Sequence, residues 1–247
     1  MFITGTDTGV GKTFVAVGLL KALKEQGYNV CPMKPLETGC RFQKGKLIPE
    51  DTLKLIKAAG VDEPLDLINP YRFRKPFAPA IAAELEGVTI SKRKIFSAFK
   101  QLSKKYDVTI VEGAGGIMVP LYKKYLFIDL IKDLNLPVVI VSRPGLGTIN
   151  HTLLTIEAAR SRGIDIIGVV INCSAKIKKD LSVRTNPEVI EKLGGAPVLC
   201  IVPHSENPSC GLFQPITEKI LLALSHNEWV NISLSFQKRK GMLKIPL

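Results

Sequence analysis

Aromatic side chains are scarce, 6% of the chain with one tryptophan. No stretch interleaves them with basic residues as RNA-recognition strands do, which argues against a nucleic-acid binder. Acidic residues are also short in supply, 22 against 34 Lys plus Arg, for a net charge of +12. Such an excess attracts nucleic acid, anionic lipid or small anionic substrates alike and does not choose among them. Its densest runs, Arg72 to Lys75, Ser91 to Lys94, Lys176 to Lys179 and Lys238 to Lys240, are short and read as solvated loops or helix faces. The five cysteines, at 31, 40, 173, 200 and 210, contain no C-x-x-C pair. Zinc-type and redox spacings are therefore missing, and reduced cytosolic thiols are expected. No apolar run approaches the roughly 18 residues of a membrane span, and the amino terminus has no basic region followed by a long apolar run. The expected setting is cytoplasmic, with neither nucleic acid nor membrane as partner. Internal repeats and low-complexity linkers are lacking as well.

What is present is a 247-residue chain, 46% hydrophobic, long enough for a large core and expected to form a single domain over 1–247. Short apolar runs at Met1 to Thr4, Val30 to Lys34, Val108 to Val111, Val138 to Val141, Ile166 to Ile171 and Val198 to Val202 read as buried parallel strands. Helical spacing is clearest over Lys12 to Gln26, Ile149 to Arg162 and Pro187 to Leu193, each closed by glycine. The alternation predicts an α/β fold, a doubly wound and mostly parallel sheet flanked by helices. The stretch 227–247 breaks the alternation and ends in a basic tail.

The first strand runs directly into Gly5-Thr-Asp-Thr-Gly-Val-Gly-Lys-Thr13, and a helix follows at once. That context marks a P-loop. Backbone N–H groups of the turn and first helical turn, from Gly9, Val10 and Gly11 through Thr13 and Phe14, would point at phosphates, aided by the helix dipole. Lys12 would reach the β- and γ-phosphates, and the Thr13 hydroxyl would ligate magnesium. Strict spacing wants glycine at position 6, where Thr6 stands; the glycine comes one residue earlier.

In an open parallel sheet, ligands sit outside the carboxyl ends of the strands. The second strand ends in Lys34, placed to bring a second cation beside Lys12 and to stabilise charge developing in phosphoryl transfer. The run Ile110-Val-Glu-Gly-Ala-Gly-Gly116 is expected to put Glu112 on a strand tip, with Gly113, Ala114, Gly115 and Gly116 letting backbone approach an anion. Magnesium prefers few protein oxygens supplemented by phosphate and water, so Thr13, Glu112 and Asp51, at a helix start, form the expected metal set. A helix-terminal charge is the plain alternative for Asp51.

Together with Lys34-Pro-Leu-Glu-Thr-Gly39, Asn69-Pro-Tyr71, Val111 to Gly116 and Leu146-Gly-Thr-Ile-Asn-His-Thr-Leu-Leu-Thr155, the loop closely resembles the dethiobiotin synthetase family, in the family's order and over residues 1 to about 225. The resemblance implies a P-loop NTPase fold, MgATP, 7,8-diaminononanoate and carbon dioxide (from bicarbonate) as substrates, and a carbamate phosphorylated to a carbamic–phosphoric anhydride before ring closure. It implies Lys12 and Lys34 as catalytic residues, with Thr38 and Gly116 on the carbamate side. It places the substrate's anionic tail at Gly147, Thr148 and Asn150, at a homodimer interface; helix capping is the plain alternative for Thr148 and Asn150. Asn172 would meet the adenine edge, and Pro203, His204 and Ser205 would flank the nucleotide. Cys173 stands where the family has an acid, which bears on base selectivity.

The main rival is a partition or cell-division-site switch ATPase of the same superfamily. Its loop usually carries an extra lysine where this chain has Asp7. Cobyrinic acid amidating synthases need a glutaminase domain for which there is no room.

Overall fold

Each of the six apolar runs is a strand of one parallel sheet in the computed structural model, which describes residues 1–175 and 181–225. In chain order the elements are β1 (Phe2–Gly5), α1 (Lys12–Glu25), β2 (Val30–Met33), β3 (Leu36–Glu37), β4 (Arg41–Gln43), β5 (Lys46–Ile48) and α2 (Glu50–Ala59). There follow α3 (Leu65–Ile68), β6 (Tyr71–Arg72), α4 (Pro79–Leu85), α5 (Lys92–Lys105), β7 (Val108–Gly116), β8 (Pro120–Tyr122), β9 (Tyr125–Leu126) and α6 (Phe127–Asp133). The described chain closes with β10 (Val138–Ser142), α7 (Thr148–Ser161), β11 (Ile166–Asn172), α8 (Ser182–Gly194), β12 (Val198–Val202) and α9 (Cys210–Ser225).

The main sheet runs β12-β11-β10-β1-β7-β2. Alternation along β1 sends Phe2 to one face and Ile3 to the other, and each anchors a separate apolar cluster. On the Ile3 side pack α1, α2 and α9, through Leu19, Leu55 and Phe213; on the Phe2 side pack α5, α6, α7 and α8, through Phe99, Phe127, Ile156 and Ile190. Strands covered on both faces must be apolar throughout, which is why these runs are continuous instead of alternating. The chain leaves β1 for β2 at one edge, returns to β7, then crosses to β10 and the other half. The two halves diverge at the carboxyl end of β1, and there the site forms.

Two expectations change. The helix read from Pro187 begins five residues earlier, at Ser182, so α8 already carries a turn ahead of Pro187, which lies inside it. Strand β7 does not end at Val111 but continues through Gly116, so Glu112 lies within a strand and not at its tip. Opposite it, the register against β1 jumps from Ile3↔Glu112 to Gly5↔Gly116. The intervening glycine-rich residues bulge beside the loop after β1, and Gly115 adopts a φ of 72°. The basic runs at 176–179 and 238–240 and the tail at 227–247 lie outside the described residues.

Candidate functional site

Gly9 and Gly11 hold φ values of 77° and 91°, a region that disfavours side chains, so the turn between β1 and α1 needs glycine at both. Gly5 answers the spacing puzzle. A methyl group built there would lie 2.9 Å from Lys12 Nζ and 2.8 Å from the Asp7 carbonyl oxygen. The lysine folds over this position and donates to Asp7 O at 3.0 Å, so the residue that must be bare is 5, and residue 6 can be threonine. At Gly11, a methyl group would sit 2.0 Å from Asn172 Nδ2, which donates to Val10 O at 3.0 Å. Asn172, at the end of β11 and 3% exposed, thus braces the loop from the far half of the sheet.

Beneath the loop, Glu112 is 1% exposed. Its Oε1 accepts from Thr13 Oγ1 at 2.7 Å and from Lys34 Nζ at 2.6 Å, while Oε2 has no protein partner. Lys34 is itself buried and lies 3.8 Å from Asp51 Oδ2. Burial disfavours its charge, but Glu112 and Asp51 outweigh that and hold its pKa above the ordinary lysine value. For Asp51 the balance is similar: burial pushes its pKa up, and Lys34, Lys54 and the Thr13 hydroxyl bring it below the usual value. Lys12 has weaker counter-charge. Desolvation pushes it down to about 8, with Glu112 opposing and Lys34 reinforcing the fall.

These groups open into a cleft of about 510 Å³. It brings together Gly9, Gly11, Lys12, Thr13, Lys34, Thr38, Asp51, Glu112, Gly113, Ala114 and Gly115. Phe14 and Val10 continue the loop and first helical turn, and Gly116 pairs with Gly5 behind it. The cleft does not include Asn172, Cys173, Pro203, His204 or Ser205, which end β11 and β12 on the same edge of the sheet. Cys173 is buried, and burial raises its thiol pKa; His204 is exposed, and Ser205 Oγ accepts from Asn207 N and donates to its carbonyl. Gly147, Thr148 and Asn150 lead into α7, also outside the cleft. Gly147 with φ 85° caps that helix without a side-chain bond; Thr148 is fully buried with no partner for its Oγ1, and Asn150 is exposed.

The donor set suits a hard divalent cation. Glu112 Oε2 is a buried carboxylate oxygen in want of a partner, and Thr13 and Asp51 add oxygens beside it. Among the described residues no group of three or more His, Cys, Asp or Glu side chains is placed to hold a metal ion by itself. An ion here would therefore draw on the Thr13 hydroxyl and on phosphate oxygens as well.

Two residues of the quoted segments, Asn69 and Glu37, take roles that the sequence does not assign them. Asn69, completely buried, donates from Nδ2 to Lys34 O at 2.6 Å and to Tyr71 O at 3.3 Å, and Lys34 N donates to Ile68 O at 2.9 Å, so the lysine's backbone is pinned. Glu37 accepts three hydrogen bonds from Asp51 and Thr52. The Asn-Pro-Tyr segment after a short helix was a visible signal for the first; nothing local signals the second.

The AAA domain family matches residues 1–209. The chain is 46% identical over 210 residues to the ATP-dependent dethiobiotin synthetase of Thermodesulfovibrio yellowstonii, covering 82% of this chain and 88% of that protein. It is 45% identical over 225 residues to the enzyme of the same name from Methanocaldococcus jannaschii, covering 90% and 99% respectively. Among solved structures, the septum site-determining protein MinD of Pyrococcus horikoshii, in complex with Mg-ADP, superposes with a TM-score of 0.55 over 92% of this chain and 98% of that one. At 17% identity that likeness speaks for the fold alone. No helix among the described residues is long and apolar enough to cross a membrane.

Proposed function

The chain belongs to the ATP-dependent dethiobiotin synthetase family, and from that membership we propose how its cleft couples phosphoryl transfer from ATP to ring closure. Its activity is the ATP-dependent ligase reaction of biotin synthesis that forms dethiobiotin. The substrates are ATP, 7,8-diaminononanoate and carbon dioxide. One amine of the diamine adds to carbon dioxide, losing a proton, to give a carbamate. A carbamate oxygen attacks the γ-phosphorus, ADP leaves, and a carbamic–phosphoric anhydride results. The second amine attacks the carbonyl carbon, phosphate departs with the bridging oxygen, and the ureido ring closes.

The observation that carries this reading is the buried ammonium of Lys34, held against Glu112 at 2.6 Å in the same cleft as Lys12. Phosphoryl transfer asks a protein mainly for position and for positive charge around the transferring oxygens. Lys12 binds the β- and γ-phosphates; Lys34 faces the oxygens of the carbamate and transferring group; Thr38 donates to one of them. Carbamate formation needs a neutral amine, and an alkyl amine with an ordinary pKa of about 10.4 is deprotonated more readily beside cations and away from water. The lysines thus serve both halves of the reaction. Magnesium bound by Thr13, Asp51 and Glu112 would neutralise phosphate charge. Asn172 keeps its carbonyl oxygen for a base amino group while its amide braces Val10. The substrate's carboxylate tail is received at Gly147, Thr148 and Asn150 of a second copy, in a cytoplasmic homodimer. The rival switch ATPase has only a fold likeness on its side, and Asp7 occupies the place of its lysine.

The test is coupled turnover. ADP release is expected to require both diaminononanoate and bicarbonate, with dethiobiotin appearing in equal amount. Turnover indifferent to either compound would overturn the reading.

A further inference from the structure

Helix α2 begins without a cap of its own. Its N-cap residue, Pro49, makes no side-chain hydrogen bond, so the amides of the first turn need an acceptor from elsewhere. Glu37 provides it from β3, across 14 residues of sequence. One carboxylate oxygen accepts from Asp51 N at 3.0 Å; the other accepts from Thr52 N at 2.9 Å and from Thr52 Oγ1 at 2.6 Å. Glu37 is 6% exposed, and a carboxylate so buried is tolerable because three donors and the helix dipole meet it. Its backbone is equally fixed: its carbonyl accepts from Phe73 N at 2.8 Å, and β3 pairs with β6.

We propose that Glu37 is a positioning residue for the cation-binding carboxylate Asp51. A local cap at position 49 would complete the helix without tying its first turn to the strand segment that carries Lys34. Glu37 instead ties α2 to the segment that leaves β2, three residues after Lys34. The same short segment therefore sets the cation Lys34 and the location of the anion facing it at 3.8 Å. With Asp51 held, its carboxylate stays beside Thr13 and Glu112. This rests on the assignment of Thr13, Asp51 and Glu112 to magnesium.

The test measures ADP affinity by calorimetry with and without Mg²⁺, which needs no turnover. Wild type binds ADP more tightly with Mg²⁺. Glu37→Ala is expected to keep the metal-free affinity and to lose about tenfold or more of the Mg²⁺ enhancement, the scale on which residues that orient metal ligands act. Glu37→Gln, which retains an acceptor, loses less, and Thr52→Val, which keeps both backbone bonds, stays near wild type. Should Glu37→Ala fail to fold, the ordering of the other two decides. An undiminished enhancement in Glu37→Gln and Glu37→Ala overturns the proposal, and so does an equal loss of metal-free and Mg²⁺-dependent affinity. A wild type with no enhancement removes the magnesium assignment and this proposal with it, whereas dethiobiotin formation is judged separately by the coupled assay.

Discussion

The two lysines of the cleft differ in how their charge is kept. Lys34 has two carboxylates against it and stays an ammonium, while Lys12 in the ligand-free protein has a peptide carbonyl and falls to about 8. Relative to its ordinary value of 10.5, the folded protein holds Lys12 with fewer protons, so this residue's contribution to stability rises with pH between those values. Nucleotide binding runs the other way, because phosphates favour the ammonium. ADP affinity should be level below pH about 8 and fall above it by up to about tenfold per pH unit, with proton uptake on binding. Calorimetry across pH in wild type and Lys12→Met checks this. The slope should vanish in the variant; an equally flat profile in wild type would show that Lys12 stays charged without ligand.

At the scale of elements, the sheet and its flanking helices depend on a few close approaches. A methyl group built at Gly18 of α1 would lie 2.2 Å from the Phe213 ring of α9, which is fully buried. Alanine gains about 1 kcal/mol of helix propensity over glycine. Overpacking a fixed ring costs about 1–3 kcal/mol. At this separation the ring must move, so the second effect wins. Gly18→Ala should lower the urea midpoint at unchanged slope, and a raised midpoint would refute the packing argument. The six strands could be read because burial on both faces leaves continuous apolar runs, and α1 and α7 because glycine closes them. Where a glycine-rich run carries strand pairing past Val111, composition suggests a loop, so the length of β7 was hidden. The displaced glycine at 5, the brace from Asn172 and the cap from Glu37 all depend on which residues meet across the fold, and local spacing holds no record of that. Lys12, Thr13, Lys34 and Asp51 were legible because each follows a strand or opens a helix near the sheet's carboxyl edge, and Glu112 because an acid ends its apolar run, although β7 continues past it. That rule gave their neighbourhood, though not the bond from Lys34 to Glu112.

For the molecule as a whole, the decisive feature is that the chain returns to both sides of β1. The phosphate loop, Lys34 and Glu112 come from strands on one half, β1, β2 and β7, while Asn172 reaches in from the other. A nucleotide laid along the carboxyl edge would therefore touch both halves, with its γ-phosphate over the paired lysines. The proposed phosphorylation of a carbamate in this cleft would leave its mark on where oxygen atoms go. In a single turnover with bicarbonate labelled with heavy oxygen, diaminononanoate and ATP, the released phosphate is expected to carry one labelled oxygen, the former bridge of the anhydride, while dethiobiotin keeps another in its ureido carbonyl. Unlabelled phosphate formed alongside labelled dethiobiotin would contradict it.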